Sequence, residues 1–468
     1  MIWSQLKRYN TISKPYKWSQ RHVSSSQNKG DLLILSPTLW PEPNSSAAGV
    51  RTSALLKYFA NSSSYDKVHF ACGAKGEPET KLDCVSYHNL PANRTYKIQN
   101  FLKQQNNLDV VIFDRFFAEE AYSFHFHNEA NNILRVLDMQ DMHSLRSHRQ
   151  NIVKSWDNKK SGVGLDCLKD GSIIESIPTI HTYNSKQSLL LRELAAIHRC
   201  DLVMVCSSKE LALLQNEFGV RPEKLVLAPF FVPPKRRRTL NFEQRKDFVF
   251  LGGFKHPPNI DQVKILKDVL WKQIRKQLPD ANLHIYGAYP PLQVQQMHDK
   301  RNGFLVHGFL PNLDDLNTYR VMLAPIRYGA GLKGKIVDSW IHGCPVVSTT
   351  MGLEGMFVES DENFAWGGLI GNDNEEFIKN AVTLYSDSMV WKRSQVNGIS
   401  LLHNLFEERT NLERIQNAIS IAKDNKDVRR SQDYTSALLW AQTARSTEYF
   451  SKWVELKERQ QNVNNAED

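Results

Sequence analysis

Residues 323–350, with the sequence LAPIRYGAGLKGKIVDSWIHGCPVVSTT, constrain the fold more than any other part of this chain. An apolar run predicts a buried strand over residues 321–324, and Pro325 ends it. After a glycine-rich turn, the spacing of apolar residues predicts an amphipathic helix over about residues 335–342. A second apolar run predicts a strand over residues 345–348. Strand, helix and strand in this order form one unit of a parallel α/β sheet.

The glycine-rich turn of this unit is suited to binding an anion. Gly331 and Gly334 let backbone N–H groups approach a ligand closely, and a helix N-terminus adds about half a positive charge. Lys333 and Lys335 lie in the same turn, and Asp338 follows one helical turn later, where its carboxylate could accept hydrogen bonds from ribose hydroxyls. The turn is not a Walker A motif, because neither Ser nor Thr follows the Gly-Lys pair. The pattern predicts a phosphate cradle; the alternative is a glycine-rich loop with two solvated lysines.

Strand and helix patterns alternate along most of the remaining chain. The alternation predicts two doubly wound α/β domains over residues 31–232 and 247–398, joined by a proline-containing basic linker over 233–246. Residues 399–468 have apolar side chains at helical spacing, which predicts a helical tail packed back across both domains.

The positive charge of the chain is concentrated at its N-terminus. The formal net charge is +9, but residues 1–30 contain six basic and no acidic side chains, so the remainder carries only +3. This near-neutral body argues against a nucleic-acid-binding protein. The sequence has no apolar run of about 18 residues, so it predicts no transmembrane helix. Six scattered cysteines without metal-ligand spacing favour reduced thiols.

Residues 1–30 are basic, rich in serine and free of acidic residues, and they lack the apolar segment of a secretory signal. This composition is typical of a mitochondrial transit peptide; the alternative is a disordered tail. The sequence therefore predicts a mitochondrial or cytoplasmic location.

Four segments in one order resemble a known enzyme family. They are FLGGFKHPPNIDQV (residues 250–263), LHIYGAYP (283–290), VHGFLPNLDDL (306–316) and the glycine-rich unit (324–349). Together they resemble the donor-site signature of retaining, family-4-type, group 1 glycosyltransferases, strongly over residues 247–385. The resemblance implies the GT-B fold, in which two Rossmann-like domains face a cleft.

The resemblance implies that the protein transfers a hexose-like sugar from a nucleotide-diphospho-sugar to an acceptor hydroxyl, with retention of configuration. The acceptor would be a glycan, a lipid or a small molecule, and neither a metal ion nor a cofactor would be required. The residues expected to bind the donor are those of the first-domain loop, of the two glycine turns and of the strand end beside them: Gly49, Arg51, Gly252, Gly253, Lys255, Gly331, Lys333, Gly334, Lys335, Asp338 and Glu354.

Asp141 and His143 are the predicted catalytic residues. They follow a predicted strand over residues 133–137, and open α/β sheets bind ligands at the carboxyl ends of strands. In the family, the loop in this position carries the histidine or acid that contacts donor and acceptor. The alternative is a helix N-cap followed by exposed polar residues.

The sequence departs from the common family motif at one place. The motif pairs two glutamates, and Ala330 and Asp338 occupy those positions here. Two alternatives to a glycosyltransferase stay open: a sugar-nucleotide epimerase or hydrolase on the same fold, and an inactive scaffold that binds nucleotide-sugars, which Ala330 suggests.

Overall fold

Two parallel β-sheets, each covered by helices, organise the chain in a computed structural model. The structure describes residues 29–42, 47–78, 80–128, 132–160, 164–179, 188–233, 239–356 and 365–467. The predicted transit peptide lies outside these ranges except for residues 29 and 30, and so does the basic part of the predicted linker.

The first sheet has seven parallel strands in the order β3-β2-β1-β4-β5-β6-β7. Its strands are β1 (Asp31–Ser36), β2 (Val68–Cys72), β3 (Val85–Asn89), β4 (Leu108–Asp114), β5 (Leu134–Asp138), β6 (Leu202–Val205) and β7 (Leu225–Leu227). The central strands are apolar runs because helices bury both faces of a parallel sheet. The helices of this domain are α1 (Ala47–Asn61), α2 (Thr95–Gln104), α3 (Phe116–Asn128), α4 (His143–Lys160), α5 (Ser172–Glu175), α6 (Ser188–Arg199) and α7 (Ser208–Asn216).

The second sheet has six parallel strands in the order β10-β9-β8-β11-β12-β13. Its strands are β8 (Lys246–Leu251), β9 (Leu283–Tyr286), β10 (Phe304–Gly308), β11 (Tyr319–Ala324), β12 (Val346–Ser348) and β13 (Gly368–Ile370). The helices between them are α8 (Pro257–Ile265), which continues through a π-helical segment (Leu266–Leu270) into α9 (Trp271–Gln277), and α10 (Leu292–Gln295), α11 (Gly334–Ile341) and α12 (Thr350–Leu353).

The glycine-rich unit has the predicted strand–helix–strand form. Strands β11 and β12 are parallel neighbours with Met322 opposite Val346, and α11 connects them. Gly343 follows the helix with φ +61°, the left-handed conformation that favours glycine at a helix end. The predicted α/β class and the two doubly wound domains are confirmed.

The chain after β13 is helical and crosses from the second domain to the first. Helix α13 (Asn374–Ser386) belongs to the second domain, and it is followed by α14 (Ser388–Phe406), α15 (Glu408–Asp424), α16 (Lys426–Ser431), α17 (Tyr434–Leu439) and, after a π-helical segment (Trp440–Ala444), α18 (Arg445–Glu467). Leu412 and Ile415 of α15 belong to the same apolar core as Leu32 and Ile34 of β1. The predicted boundary between residues 398 and 399 falls inside α14.

Helix α4 also connects the domains. It begins beside the first sheet, yet Val153 is buried in the apolar core of the second domain. Farther along, Asp157 accepts hydrogen bonds from both terminal nitrogens of Arg327 at 2.6 and 2.8 Å. The cleft between the sheets is thus bounded by elements that belong to one domain and pack on the other.

Candidate functional site

Two helix N-termini face each other across the domain interface. A Cβ atom on Gly334, the first residue of α11, would lie 3.5 Å from the Cβ of Ala47, the first residue of α1. At Gly49 a Cβ atom would approach the backbone oxygen of Glu42 to 2.2 Å, so only glycine permits this close packing. Because both helix dipoles are positive at these ends, the space between them favours an anion.

The glycine turn touches the loop that follows β5. Gly331 has φ +61°, and a Cβ atom there would lie 2.7 Å from the Cβ of Asp141. Its N–H donates to Oε1 of Glu210 at 2.7 Å. The structure therefore brings the predicted donor turn and the predicted catalytic loop into direct contact.

Lys335 is a cation without a matching anion. Its Nζ donates to Oδ1 of Asn259 at 2.7 Å and to Oε1 of Gln262 at 3.2 Å, and it lies 4.2 Å from the ring centroid of Phe250. Among the described residues it forms no ion pair. Burial lowers the pKa of Lys335 to about 7, because nothing nearby offsets the lost hydration of the ammonium. A phosphate oxygen would supply the missing negative charge.

Lys333, in contrast, has partners within the protein. Its Nζ donates to the backbone oxygen of Gly331 at 2.8 Å and lies 3.7 Å from Oε2 of Glu354. Burial lowers the pKa of Lys333, while Glu354 opposes this shift. Glu354 in turn accepts hydrogen bonds from both terminal nitrogens of Arg149 at 2.7 Å. Burial favours the neutral Glu354 carboxyl, but Arg149 outweighs it and lowers the pKa of Glu354.

The predicted catalytic pair is assembled at the start of α4. Nε2 of His143 lies 3.2 Å from Oδ1 of Asp141, and Arg146 also pairs with that carboxylate. The imidazole packs edge-on against Phe116, with ring centroids 5.4 Å apart. Burial lowers the pKa of His143, so the ring is neutral at pH 7 and can accept a proton.

His256 completes this group and was not predicted from the sequence. It follows the Gly252-Gly253 turn after β8, and the basic groups near it are Arg146, Lys335 and His143. Loss of hydration among the surrounding residues, followed by repulsion from these groups, lowers the pKa of His256 to about 4, although the residue as a whole is exposed. A histidine after a glycine turn at a strand end is the only sequence signal that could have indicated it.

Glu210, on α7, was also not predicted. Its Oε1 accepts hydrogen bonds from the backbone N–H groups of Met142 and Gly331, one in each domain. Burial raises the pKa of Glu210 to about 7 because the two backbone donors compensate only part of the lost hydration. Glu210 therefore holds the two loops of the cleft together.

Arg51 has an internal role in this structure. Its guanidinium donates to the Asp138 carboxylate at 2.8–3.1 Å and to the backbone oxygens of Ala228 and Pro229 at 2.8 Å. Only 3% of the residue is exposed. These contacts join α1 to the ends of β5 and β7, and they favour a structural role for Arg51 over the predicted diphosphate contact.

The remaining predicted donor residues surround the same turns. Gly252 packs against Asn259, and Gly253 leaves open space beside its Cα atom. Lys255 is exposed, with its Nζ 3.7 Å from the ring centroid of Tyr289. Asp338 is half-buried one turn into α11, and its backbone oxygen lies 2.7 Å from Nδ1 of His342.

Ala330 occupies a position where the family motif has a carboxylate. Its side chain is half-buried and packs against the apolar core of the first domain. Among the described residues, no group of three or more His, Cys, Asp or Glu side chains is arranged to hold a metal ion. The same ranges contain no helix long and apolar enough to cross a membrane.

Comparisons with known proteins agree with this architecture. Residues 245–387 match the model of the family described as glycosyl transferases group 1. Sucrose-phosphate synthase from Thermosynechococcus elongatus is a similar solved structure, with a TM-score of 0.58 and 11% identity over 86% of this chain and 100% of that one. Anabaena HepE in complex with UDP and glucose has a TM-score of 0.55 and 13% identity over 84% and 99% of the two chains. A glycosyltransferase from Rickettsia africae has a TM-score of 0.54 and 12% identity over 85% and 99%. A comparison with curated protein sequences finds no match. At such identities the structural likenesses show the fold, which is GT-B.

Proposed function

Since residues 245–387 match the model of the glycosyl transferases group 1 family, we propose that the protein transfers a sugar from a nucleotide-diphospho-sugar to an acceptor hydroxyl. The observation that carries the proposal is Lys335. Its ammonium has only neutral partners and lies in the turn that leads into α11, whose N-terminus faces that of α1. A diphosphate placed there would meet one uncompensated cation and two helix N-termini.

The same arrangement suggests how the leaving group is stabilised. Negative charge builds on the diphosphate as the bond to the sugar breaks, and preorganised donors at that point lower the barrier. Lys335 and the N–H groups that begin α11 would take this role, which is why we propose a metal-independent reaction. Asp338 would hold the ribose. Lys333 would act through the turn, because it is bound to Gly331 and paired with Glu354.

On the other side of the cleft, His143 would contact the reacting sugar or the acceptor hydroxyl. Its neutral ring can accept a hydrogen bond from a hydroxyl, and Asp141 at 3.2 Å orients it. Retention of configuration and a hexose-like sugar are proposed from the resemblance alone. Because the HepE structure contains UDP and glucose, UDP-sugars are the first donors to test.

One observation favours a second candidate, an inactive scaffold that binds nucleotide-sugars. Ala330 replaces a carboxylate of the family motif, and its side chain packs against the first domain. A scaffold would keep Lys335 and the opposed helix N-termini but would lack turnover. A hydrolase or epimerase would instead turn over the donor without an acceptor.

A thermal-shift screen of UDP-, GDP- and ADP-sugars, followed by assays of nucleotide release, tests these functions. The transferase requires a donor that raises Tm and releases nucleotide faster when an acceptor is added. Lys335→Ala should abolish the shift, whereas Lys272→Ala, an exposed lysine on α9, should leave it unchanged. A shift without nucleotide release from any acceptor mixture supports the scaffold. Release that needs no acceptor supports the hydrolase or epimerase, and no shift with any donor contradicts all three.

A further inference from the structure

A second polar cavity lies at the amino ends of the strands of the first sheet, on the opposite side from the cleft. It has a volume of about 460 Å³. Arg135 near the start of β5, Asp201 just before β6 and Lys224 just before β7 form one wall, and residues of α16, α17 and the following π-helical segment form the other. All strands of a parallel sheet begin at the same end of the sheet. This cavity, at their amino ends, is therefore separate from the cleft at their carboxyl ends. Its size is within the usual range for small-molecule sites.

Positive charge is in excess around the cavity. Five Lys or Arg and four Asp or Glu side chains line it. Asp201 serves two of the arginines: Arg430 donates to it through Nε at 2.7 Å and Nη2 at 2.6 Å, and Arg135 Nε lies 3.5 Å away. Lys224 also pairs with Asp433 at 2.7 Å, and Arg221 pairs with Glu223 at 2.5 Å. The wall is therefore a network of ion pairs with one excess positive charge.

One buried donor on the cavity wall has no acceptor among the described residues. It is Nε1 of Trp440, on a residue that is 7% exposed. The Trp440 ring stacks on His127 with centroids 4.2 Å apart, and the Arg135 guanidinium lies 4.7 Å from its centroid. Trp440 begins the π-helical segment, and such segments occur often at functional sites. A buried N–H without a partner is costly, so this wall is suited to a ligand that accepts hydrogen bonds.

We propose that this cavity binds a small phosphorylated metabolite, with the phosphate held by the arginines and by Nε1 of Trp440. A phosphate monoester carries up to two negative charges and three acceptor oxygens, which suit a wall with one excess positive charge and a buried indole N–H that has no acceptor among the described residues. The cavity also leaves room for an organic portion beyond the phosphate.

Binding here would strengthen the docking of the tail on the first domain. The amino ends of the strands contribute Arg135 and Lys224 to the cavity wall, and the helical tail contributes Arg429 and Trp440. A ligand that contacts both would bind the docked form and not the undocked one, so it should raise Tm.

Calorimetry on the full chain with inorganic phosphate, glucose 6-phosphate and uridine monophosphate tests the proposal. The three probes share the phosphate and distinguish a free ion, a sugar phosphate and a nucleotide. Binding of at least one probe should weaken about tenfold in Arg429→Gln, which removes a charge from the wall, and in Trp440→Phe, which keeps the ring but removes the N–H. Arg409→Gln, on an exposed i,i+4 pair of α15, is the matched control and should bind like the wild type.

Lys335→Ala separates this cavity from the cleft. If the phosphate binds in the cavity at the amino ends of the strands, Lys335→Ala keeps full affinity for the probe, while both wall variants lose affinity. The proposal is overturned if none of the probes binds, or if Lys335→Ala abolishes binding and the wall variants do not. Equal binding by Trp440→Phe, Arg429→Gln and the wild type, with circular dichroism showing all three folded, also overturns it.

Discussion

Two groups of ionisable residues at the domain interface differ in how completely the protein neutralises their charges. One group, the interdomain latch, consists of Arg149 with Glu354 and Arg327 with Asp157. The other, the cleft group, consists of His143, His256 and Lys335. In the latch, each guanidinium makes paired hydrogen bonds of 2.6–2.8 Å to a carboxylate of the other domain, and both arginines are 1% exposed.

The cleft group has the opposite character. Lys335 has neutral hydrogen-bond partners, and burial, followed by nearby basic groups, lowers the pKa of His256 to about 4. Buried pairs that satisfy each other hold the domains in one arrangement, whereas Lys335, which has no carboxylate partner among the described residues, is a group that a ligand can stabilise. The comparison therefore favours an architectural role for the latch and supports the proposal that the cleft group takes part in binding and catalysis.

The largest expected effect tests the catalytic half of this assignment. His143→Ala should lower turnover by about 10²–10⁴-fold with a verified donor and acceptor, because it removes a positioned acid–base group. Nucleotide affinity, measured by calorimetry, should hardly change. His148→Ala, one helical turn farther along α4, is the control and should keep near-normal turnover. Full activity in His143→Ala would show that this loop is structural.

The next effect concerns the latch. Arg149→Ala removes the paired hydrogen bonds to buried Glu354 and leaves Lys333, 3.7 Å away, as its ion-pair partner, so it should lower the free energy of unfolding by about 3–5 kcal/mol. Urea titration measures this loss. Arg192→Ala removes a partly exposed pair with Glu120 and should cost less than about 1 kcal/mol. A double variant, Arg149→Met with Glu354→Met, should be more stable than Arg149→Ala, because it removes both charges of the pair. Equal losses of stability in Arg149→Ala, Arg192→Ala and the double variant would argue against a latch.

Substitutions of Lys335 and of Lys333 should both weaken nucleotide-diphosphate binding but should differ in their effect on stability. Lys335→Ala should weaken nucleotide-diphosphate binding about tenfold or more, since charge-assisted hydrogen bonds contribute roughly 1.5–3 kcal/mol. The fold should remain stable, because no described carboxylate pairs with Lys335. Lys333→Ala should weaken binding too, but with a lower Tm, because it leaves Glu354 less compensated. Unchanged affinity in both variants would remove the phosphate cradle.

The smallest effect is a pH dependence of stability. Burial raises the pKa of Glu210 to about 7 from an ordinary value of 4.5. The folded protein therefore keeps this proton at pH values where the unfolded chain has lost it. Its contribution to stability is complete below about pH 4.5 and is lost as the pH rises through 7. In Glu210→Gln, the fall in the free energy of unfolding as the pH rises through 7 should be smaller by on the order of 1 kcal/mol. Urea titration at several pH values measures this difference. Parallel pH profiles for the two proteins would contradict the raised pKa.

Much of the architecture could be predicted because its signals are local. The strand, glycine turn and helix around Gly331 follow from apolar periodicity and from the backbone preferences of glycine and proline, which neighbouring residues express by themselves. The same holds for the helical tail. Helix α14 runs through the predicted boundary at residue 398, because its apolar pattern continues there.

The site was predictable only in outline. The rule that ligands bind at the carboxyl ends of parallel strands placed Asp141 and Gly331 near one cleft, and they are in contact. The rule does not say which charges are already paired. Arg51 has the chemistry of a phosphate ligand, yet in the folded chain it binds Asp138, 87 residues away.

The sequence by itself determined the strands, the helices, their parallel order and the glycine-rich turn. Only the tertiary structure decided which charged side chains neutralise one another. Arg149 meets Glu354 across 205 residues, and Lys335 loses its hydration against α8, 76 residues before it. The physical reason is that backbone geometry depends on adjacent residues, whereas the solvation and pairing of a charge depend on whatever segment the fold places beside it.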